Sequence, residues 1–283
     1  MSTKTLDGLQ WFFAVLTIAL SAIMPFILGG GTIVFALLAM IPFTIIHGVR
    51  RYGGKLLLAF FVVTYVISNG FENLSVLTGF PFGHYHYTGT LKLFLVPIQI
   101  GPIYFGLGYV SWLVASTILD HADEHLNLAE RRGRINLVAL PALAAAAMTA
   151  FDVGTDSVAS TVANVWIWEE GGGFFGVPYT NYLGWWFVTY LFYQAFAWMI
   201  ARRTPEQAPR PGNMMAPALV YGSLGLSAIS FFIVSMNSSE VAVDAVGKTW
   251  EVAAITETLM VSNLFGLMVL AFVAIVKSAQ ARP

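Results

Sequence analysis

An all-α fold, a polytopic transmembrane helical bundle of about eight spans, is what this sequence predicts, and three observations predict it. Only 10% of the 283 residues are charged and 57% are hydrophobic, whereas a soluble domain carries roughly 25% charged residues. Apolar runs of about 20 residues, the length that crosses a bilayer, recur along the chain. The Lys and Arg residues fall almost entirely on one side of the topology those runs imply. An ordinary soluble enzyme, a disordered chain and a nucleic-acid binder with a basic face are excluded by the same composition. The sequence has no cysteine, which removes disulfides, thiolate metal sites and Cys nucleophiles.

The first apolar run, Leu9 to Leu28, is too long for a signal-peptide core and lacks a small-x-small cleavage site. It is read as the first transmembrane helix. Further spans are expected at 32–50, 55–78, 95–119, 135–160, 181–201, 214–236 and 252–277. The span 135–160 carries two aspartates, and 181–201 opens on the aromatic run Tyr182-Leu-Gly-Trp-Trp186. Loops are short and no internal repeat is evident, so residues 1–283 are expected to form a single integral membrane domain.

Eight spans place both termini on one side. That side collects Lys4, Arg50, Arg51, Lys55, Arg131, Arg132, Arg134, Arg202, Arg203, Arg210, Lys277 and Arg282, and the other collects only Lys92 and Lys248. The positive-inside rule then puts both termini in the cytoplasm, with the chain integral to the cell (cytoplasmic) membrane.

Ionisable residues inside spans are costly and mark function by default. Tyr65, Asn69 and Glu72 fall on one helical face, as do Thr149, Asp152 and Asp156, and Trp250 with Glu257. Counted from the inner ends at 1.5 Å per residue, Glu72 and Asp152 lie roughly 25 Å deep and Glu257 roughly 30 Å deep. These four acids are therefore expected in one layer of the outer half of the bilayer, with no Lys or Arg beside them. A carboxyl group in low dielectric without a cation favours its neutral form. The alternative for each acid is a structural hydrogen bond that ties helices together.

Two loops face the same side. One is Thr78-Gly-Phe-Pro-Phe-Gly-His-Tyr-His-Tyr-Thr88, the other Trp166-Ile-Trp-Glu-Glu-Gly-Gly-Gly-Phe-Phe-Gly-Val-Pro178. An interfacial aromatic belt accounts for the rings but not for two histidines at i, i+2 or for Glu169 and Glu170. We read the loops as a lid over the acidic layer. Asp120-His-Ala-Asp-Glu-His125 has a His-x-x-x-His metal-ligand spacing, but five histidines cannot fill the boxes of a membrane di-iron oxygenase, and a solvated polar loop is expected. His47 is expected at the membrane interface. Asp152-x-x-x-Asp156 is similar to an aspartate motif for Mg-diphosphate, yet it lies on the face opposite the basic residues.

The stretches Phe71 to Tyr87, Ala150-Phe-Asp-Val-Gly-Thr-Asp156 and Trp166 to Trp186 together resemble one family. They are similar to the membrane-integral carotenoid biosynthesis proteins of the CruF and bisanhydrobacterioruberin hydratase type. That family has a Glu before a Thr-Gly-x-Pro-Phe-Gly-x-Tyr-x-Tyr loop, a two-aspartate helix, and a Trp-x-Trp segment followed by Gly-Val-Pro-x-x-Asn-x-x-Gly-Trp. Here the last reads Gly176-Val-Pro-Tyr-Thr-Asn-Tyr-Leu-Gly-Trp185. The family tends to have Trp before the first aspartate and Pro after the second, where this chain has Phe151 and Ser157.

The resemblance implies addition of water across the terminal 1,2 double bond of an acyclic carotenoid, or a related terpene, drawn from the bilayer. Such chemistry needs a dry neutral acid, a wall that tolerates a carbocation, and a held water. It requires no cofactor. Asp152 or Asp156 is expected to donate the proton, with Glu72 orienting water or acting as base. Asn69, His84, Tyr85, Tyr87, Glu169 and Asn181 are expected in the polar shell, and Glu257 in the acidic layer. Phe151, Trp166, Trp168 and Trp185 are expected to line an apolar tunnel. The alternatives are a terpene cyclase, in which an internal alkene captures the same cation, and a lipid- or carotenoid-binding or proton-coupled carrier. Membrane lipid is the expected surrounding, and no nucleic acid is expected.

Overall fold

A computed structural model describes residues 2–29, 31–203, 209–210 and 212–281. Helix α1 (Thr3–Leu28) begins at Ser2, whose hydroxyl accepts from Thr5 N, and stops at Gly29, at φ 80°. Helix α2 (Ile33–Thr78) has 46 residues. Straight, it would reach roughly 70 Å, far beyond a bilayer core of about 30 Å. It turns at Gly53, where φ 76° and ψ 159° leave the helical region. A Cβ added at Gly48 would lie 2.5 Å from Leu57 Cδ1, so the halves 33–52 and 54–78 fold back on each other. The expected spans 32–50 and 55–78 thus meet at a corner, not a loop, because glycine alone tolerates that backbone cheaply.

Helices α3 (Ile100–Ile118) and α4 (Arg131–Val153) follow, then α5 (Tyr179–Ala201) and α6 (Met215–Ser235). The final rod is α7 (Val252–Ser262), a π-helical turn at Asn263–Leu267, and α8 (Met268–Gln280). From Tyr104 to Thr117 every residue of α3 is buried, so α3 is the central helix. Its large buried rings, Tyr109 and Trp112, pack with Phe60, Phe192, Tyr193 and Phe196 in the main core. By length and composition five helical stretches can cross a membrane: Thr3–Leu28, Ile33–Thr78, Arg131–Val162, Met215–Ser235 and Val252–Gln280. Helices α3 and α5 are not among them, being rich in Gly, Tyr and Trp.

The expected span 135–160 is interrupted. Helix α4 ends at Gly154, and a π-helical turn covers Val158–Val162. Short antiparallel ribbons also modify the all-α expectation. Strand β1 (Tyr85–Tyr87) pairs with β4 (Trp166–Trp168), placing Tyr85 opposite Trp168 and Tyr87 opposite Trp166. Strands β2 (Lys92–Leu93) and β3 (Val96–Pro97) form a small hairpin, as do β5 (Val241–Val243) and β6 (Thr249–Glu251).

One end of the bundle gathers charged residues. Arg50 meets Asp7 at 2.7 Å, Lys277 meets Asp120 at 2.5 Å, and Arg51 meets Asp123 at 2.8 Å. The expectation of a solvated loop at 120–125 fails at Asp123, which is fully buried. There it also accepts from the hydroxyls of Tyr52 and Ser116. Burial pushes the Asp123 carboxyl up, but Arg51 and the hydrogen bonds of Ser116 and Tyr52 outweigh it and hold the group below its ordinary value. His47 is likewise buried rather than interfacial. Its Nδ1 and the Tyr109 hydroxyl are 2.5 Å apart, and its Nε2 lies 3.3 Å from the Asn213 carbonyl.

Candidate active site

A cavity of about 280 Å³ lies at the end opposite the charged residues. Four features of the chain bring most of the expected residues to it. The second half of α2 brings Glu72, and the end of α4 brings Phe151 and Asp152. The β1–β4 ribbon brings two tyrosines and two tryptophans, and the first turn of α5 brings Asn181 and then Trp185. Strand alternation sends Tyr85 and Tyr87 inward and His86 outward.

Two carboxyl clusters face each other across this space. Asn181 Nδ2 donates to Asp152 Oδ2 and to Asp156 Oδ2, both at 2.6 Å. The indole N–H groups of Trp166 and Trp168 donate to Asp156 Oδ1 at 3.1 and 3.3 Å. Opposite, Glu72 Oε2 accepts from Tyr85 and, at 3.0 Å, from Tyr87, while Oε1 accepts from Tyr104 at 2.8 Å. Asp152, Asp156, Glu72 and Asn181 are all nearly fully buried. Among the described residues no Lys or Arg lines the cavity.

Local structure explains the convergence. The break at Gly154 keeps Asp152 and Asp156 together although the α-helix does not run through both. A Cβ at Gly154 would lie 2.4 Å from Asn263 Nδ2, and that amide donates to the Gly154 carbonyl at 2.9 Å. Pro178, extended at φ −74° and ψ 146°, starts α5 and fixes Asn181 in its first turn. Gly184 lets α5 approach the loop before β1: a Cβ there would meet Phe82 Cδ1 at 2.6 Å and the Pro81 carbonyl oxygen at 3.0 Å.

Of the residues expected from sequence, the cavity brings together Glu72, Asp152, Asp156, Tyr85, Tyr87, Phe151, Trp166, Trp168, Asn181 and Trp185. Four others lie outside it. Asn69, three residues before Glu72, points toward α3, where its Nδ2 would be 2.7 Å from a Cβ on Gly101. His84 lies on the outward register of its strand segment and packs over Gly79. Glu169, next after the inward Trp168, is exposed and pairs with His86 at 3.0 Å. Glu257 is exposed because α7 begins only at Val252 and turns Ile255, Thr256 and Leu259 inward. Trp250, on β6, does not share its helix, and its indole donates to Asp244 at 2.9 Å.

Sequence reasoning missed Tyr104. Besides bonding Glu72, it stacks on Trp185 with ring centroids 4.8 Å apart and planes 19° apart. The available signal was a phenol within a helix that carries no charged residue, which has to find a partner when buried. The lid reading is refined: the two loops are one paired ribbon whose inward rings form a wall of the cavity and bond both acidic clusters.

A family model described as carotenoid biosynthesis protein matches residues 28–261. The chain belongs to this family. The matched stretch contains every residue named above as lining the cavity. Searches of curated proteins and of solved structures give no match. Family and apolar helices together identify a membrane protein of carotenoid biosynthesis.

Proposed function

We propose that this protein adds water to the terminal 1,2 double bond of an acyclic carotenoid, or of a related terpene, by acid protonation and water capture of a tertiary carbocation. In this reading the chain is a multi-pass protein of the cytoplasmic membrane. It has eight crossings and cytoplasmic termini, with the cavity toward the outer face. The observation that carries the reading is the Asp152–Asn181–Asp156 cluster, buried in an aromatic-lined cavity opposite a second, tyrosine-bound carboxyl group.

Hydrogen-bond directions divide the roles. Asp156 accepts three N–H donors, which favours its carboxylate form. Glu72 likewise accepts three phenolic donors, hydrogen bonds that are strongest to a carboxylate. Asp152 accepts from Asn181 through Oδ2, and among the described residues its Oδ1 has no donor. Asp152 therefore carries the proton. That proton adds to the less substituted alkene carbon, the π pair forms the new C–H bond, and a tertiary cation remains. Indole faces and the Glu72 carboxylate favour the cation. Water oxygen then forms the C–O bond, and its surplus proton returns to the aspartate pair. The balance is one alkene and one water to one alcohol, with nothing oxidised or reduced.

Expression in a bacterial host that accumulates an acyclic carotenoid, followed by chromatography with mass detection, tests this. Addition of the mass of one water with an unchanged visible spectrum supports hydration, because the terminal bond lies outside the conjugated system. An isomer of unchanged mass means cyclisation instead. Unaltered pigment in wild-type cells, and unaltered short acyclic terpenes, overturn the proposal.

A further inference from the structure

One apolar stretch of the cavity's lining has exposed neighbours on its own helix. It lies in a wedge between the first half of α2 and the start of α3. The wedge closes at Gly106, where an added Cβ would be 3.4 Å from Met40 Cε and 3.5 Å from Ile41 Cγ1. Beyond this apex Val34 and Leu37 on α2, and Ile100 and Ile103 on α3, line the cavity itself. Val34, Ile100 and Ile103 are also half-buried rather than buried. Their neighbours Phe35 and Leu38 are both 42% exposed, as a lipid-facing surface would have them. Nothing charged lines this wedge among the described residues.

Size points the same way. At about 280 Å³ the cavity is no larger than the smallest pockets for drug-sized ligands, which run from about 300 to 1,000 Å³. An acyclic carotenoid is far longer than such a ligand and cannot be enclosed. Resting on the hydration reading above, we infer that the substrate enters end first through the α2–α3 wedge, and that its polyene tail stays there, in lipid, while only the terminal group reaches Asp152. The site then takes any acyclic chain with the right terminus and ignores the far end. Val34 and Ile103 are the residues that decide whether a long tail can be seated.

The test compares a long acyclic carotenoid with a short acyclic terpene bearing the same terminal group. Val34→Trp and Ile103→Trp fill the wedge, and Leu38→Trp, on the outer surface of the same helix, is the control. A bulk change in an apolar pocket is worth roughly 10- to 200-fold in discrimination. The wedge variants should therefore shift the turnover ratio toward the short substrate by at least about tenfold, whereas Leu38→Trp should not move it. Equal loss on both substrates, or no loss on either, overturns the inference. Turnover of the short substrate by the wedge variants, together with a wild-type elution profile, guards against misfolding. A second readout needs no turnover: wild-type protein purified from the pigmented host should retain carotenoid, and the Trp variants should lose it. If wild type retains pigment but hydrates neither substrate, the hydration reading fails and pigment loss alone decides the wedge. If wild type retains none and turns over none, both fail.

Discussion

Replacing Asn181 by leucine removes two hydrogen bonds with little change in volume. Its Nδ2 lies 2.6 Å from both Asp152 Oδ2 and Asp156 Oδ2, so one amide holds the carboxyl groups that the mechanism needs in different protonation states. A hydrogen bond to a charged group is worth about 1.5–3 kcal/mol and one to a neutral group about 1 kcal/mol. Losing both gives about 2–4 kcal/mol, part of which falls on the resting enzyme. If the transition state bears half of it, about 1–2 kcal/mol, turnover drops by roughly 5- to 30-fold at about 1.4 kcal/mol per tenfold. The assay is the rate at which the water-added product forms in membranes containing wild-type or Asn181→Leu protein. Protein amount and elution profile on gel filtration serve as the folding control. Asn181→Asp keeps the shape and exchanges the donor for an acceptor, so it should lose at least as much. Turnover of a well-folded Asn181→Leu protein within about threefold of wild type, against the expected loss, would refute the role given to this bridge.

Asp152→Asn should cost roughly 100- to 10,000-fold in turnover as a lost general acid. Asp156→Asn should damage turnover too, and a fully active Asp152→Asn protein removes that residue as the acid. Tyr104→Phe removes one of three donors to Glu72 and should slow turnover by roughly tenfold, on the basis of about 1.5 kcal/mol for a bond to a charged acceptor, whereas Glu257→Gln, on the exposed side of α7, should leave the rate unchanged in the same assay. Asp123→Asn leaves the buried Arg51 without its bidentate partner, a loss of about 3–5 kcal/mol in unfolding free energy, read by thermal unfolding in detergent. That ion pair also sets a pH dependence. The folded carboxyl of Asp123 lies below its ordinary value, so its stabilisation is complete above about pH 4 and is lost as pH falls through the lower folded value. Melting between neutral pH and pH 3 should show a wild-type decline that is smaller in Asp123→Asn.

The acidic layer was legible because a carboxyl group inside an apolar run is rare and costly, so Glu72, Asp152 and Asp156 stand out on sight. The inward tyrosines and tryptophans were singled out by residue type within two Gly- and Pro-bearing loops, whereas the strand pairing that gives them one face was not read from the sequence. Asn69, His84, Glu169 and Glu257 were misplaced for a common reason. Proximity in sequence to a site residue says little when the backbone rotates each neighbour to a new direction. On α2, three residues separate Glu72 in the cavity from Asn69 against Gly101. Asp123 was misread because its partner Arg51 stands 72 residues away, and a buried ion pair formed at such a separation leaves no local pattern.

The sequence alone determined that this chain belongs in a membrane, where most of its apolar runs lie, and that Glu72, Asp152 and Asp156 would be hidden. Those properties follow from transfer free energies and helix length, which are summed residue by residue. Only the tertiary structure decided that Asp152 and Asp156 share Asn181, that Glu72 is held by three phenols including Tyr104, and that the first half of α2 and the start of α3 line the cavity. Each depends on how helices distant in sequence pack. The direction of a hydrogen bond, and with it the side chain that keeps a proton, is fixed only when both partners are in place.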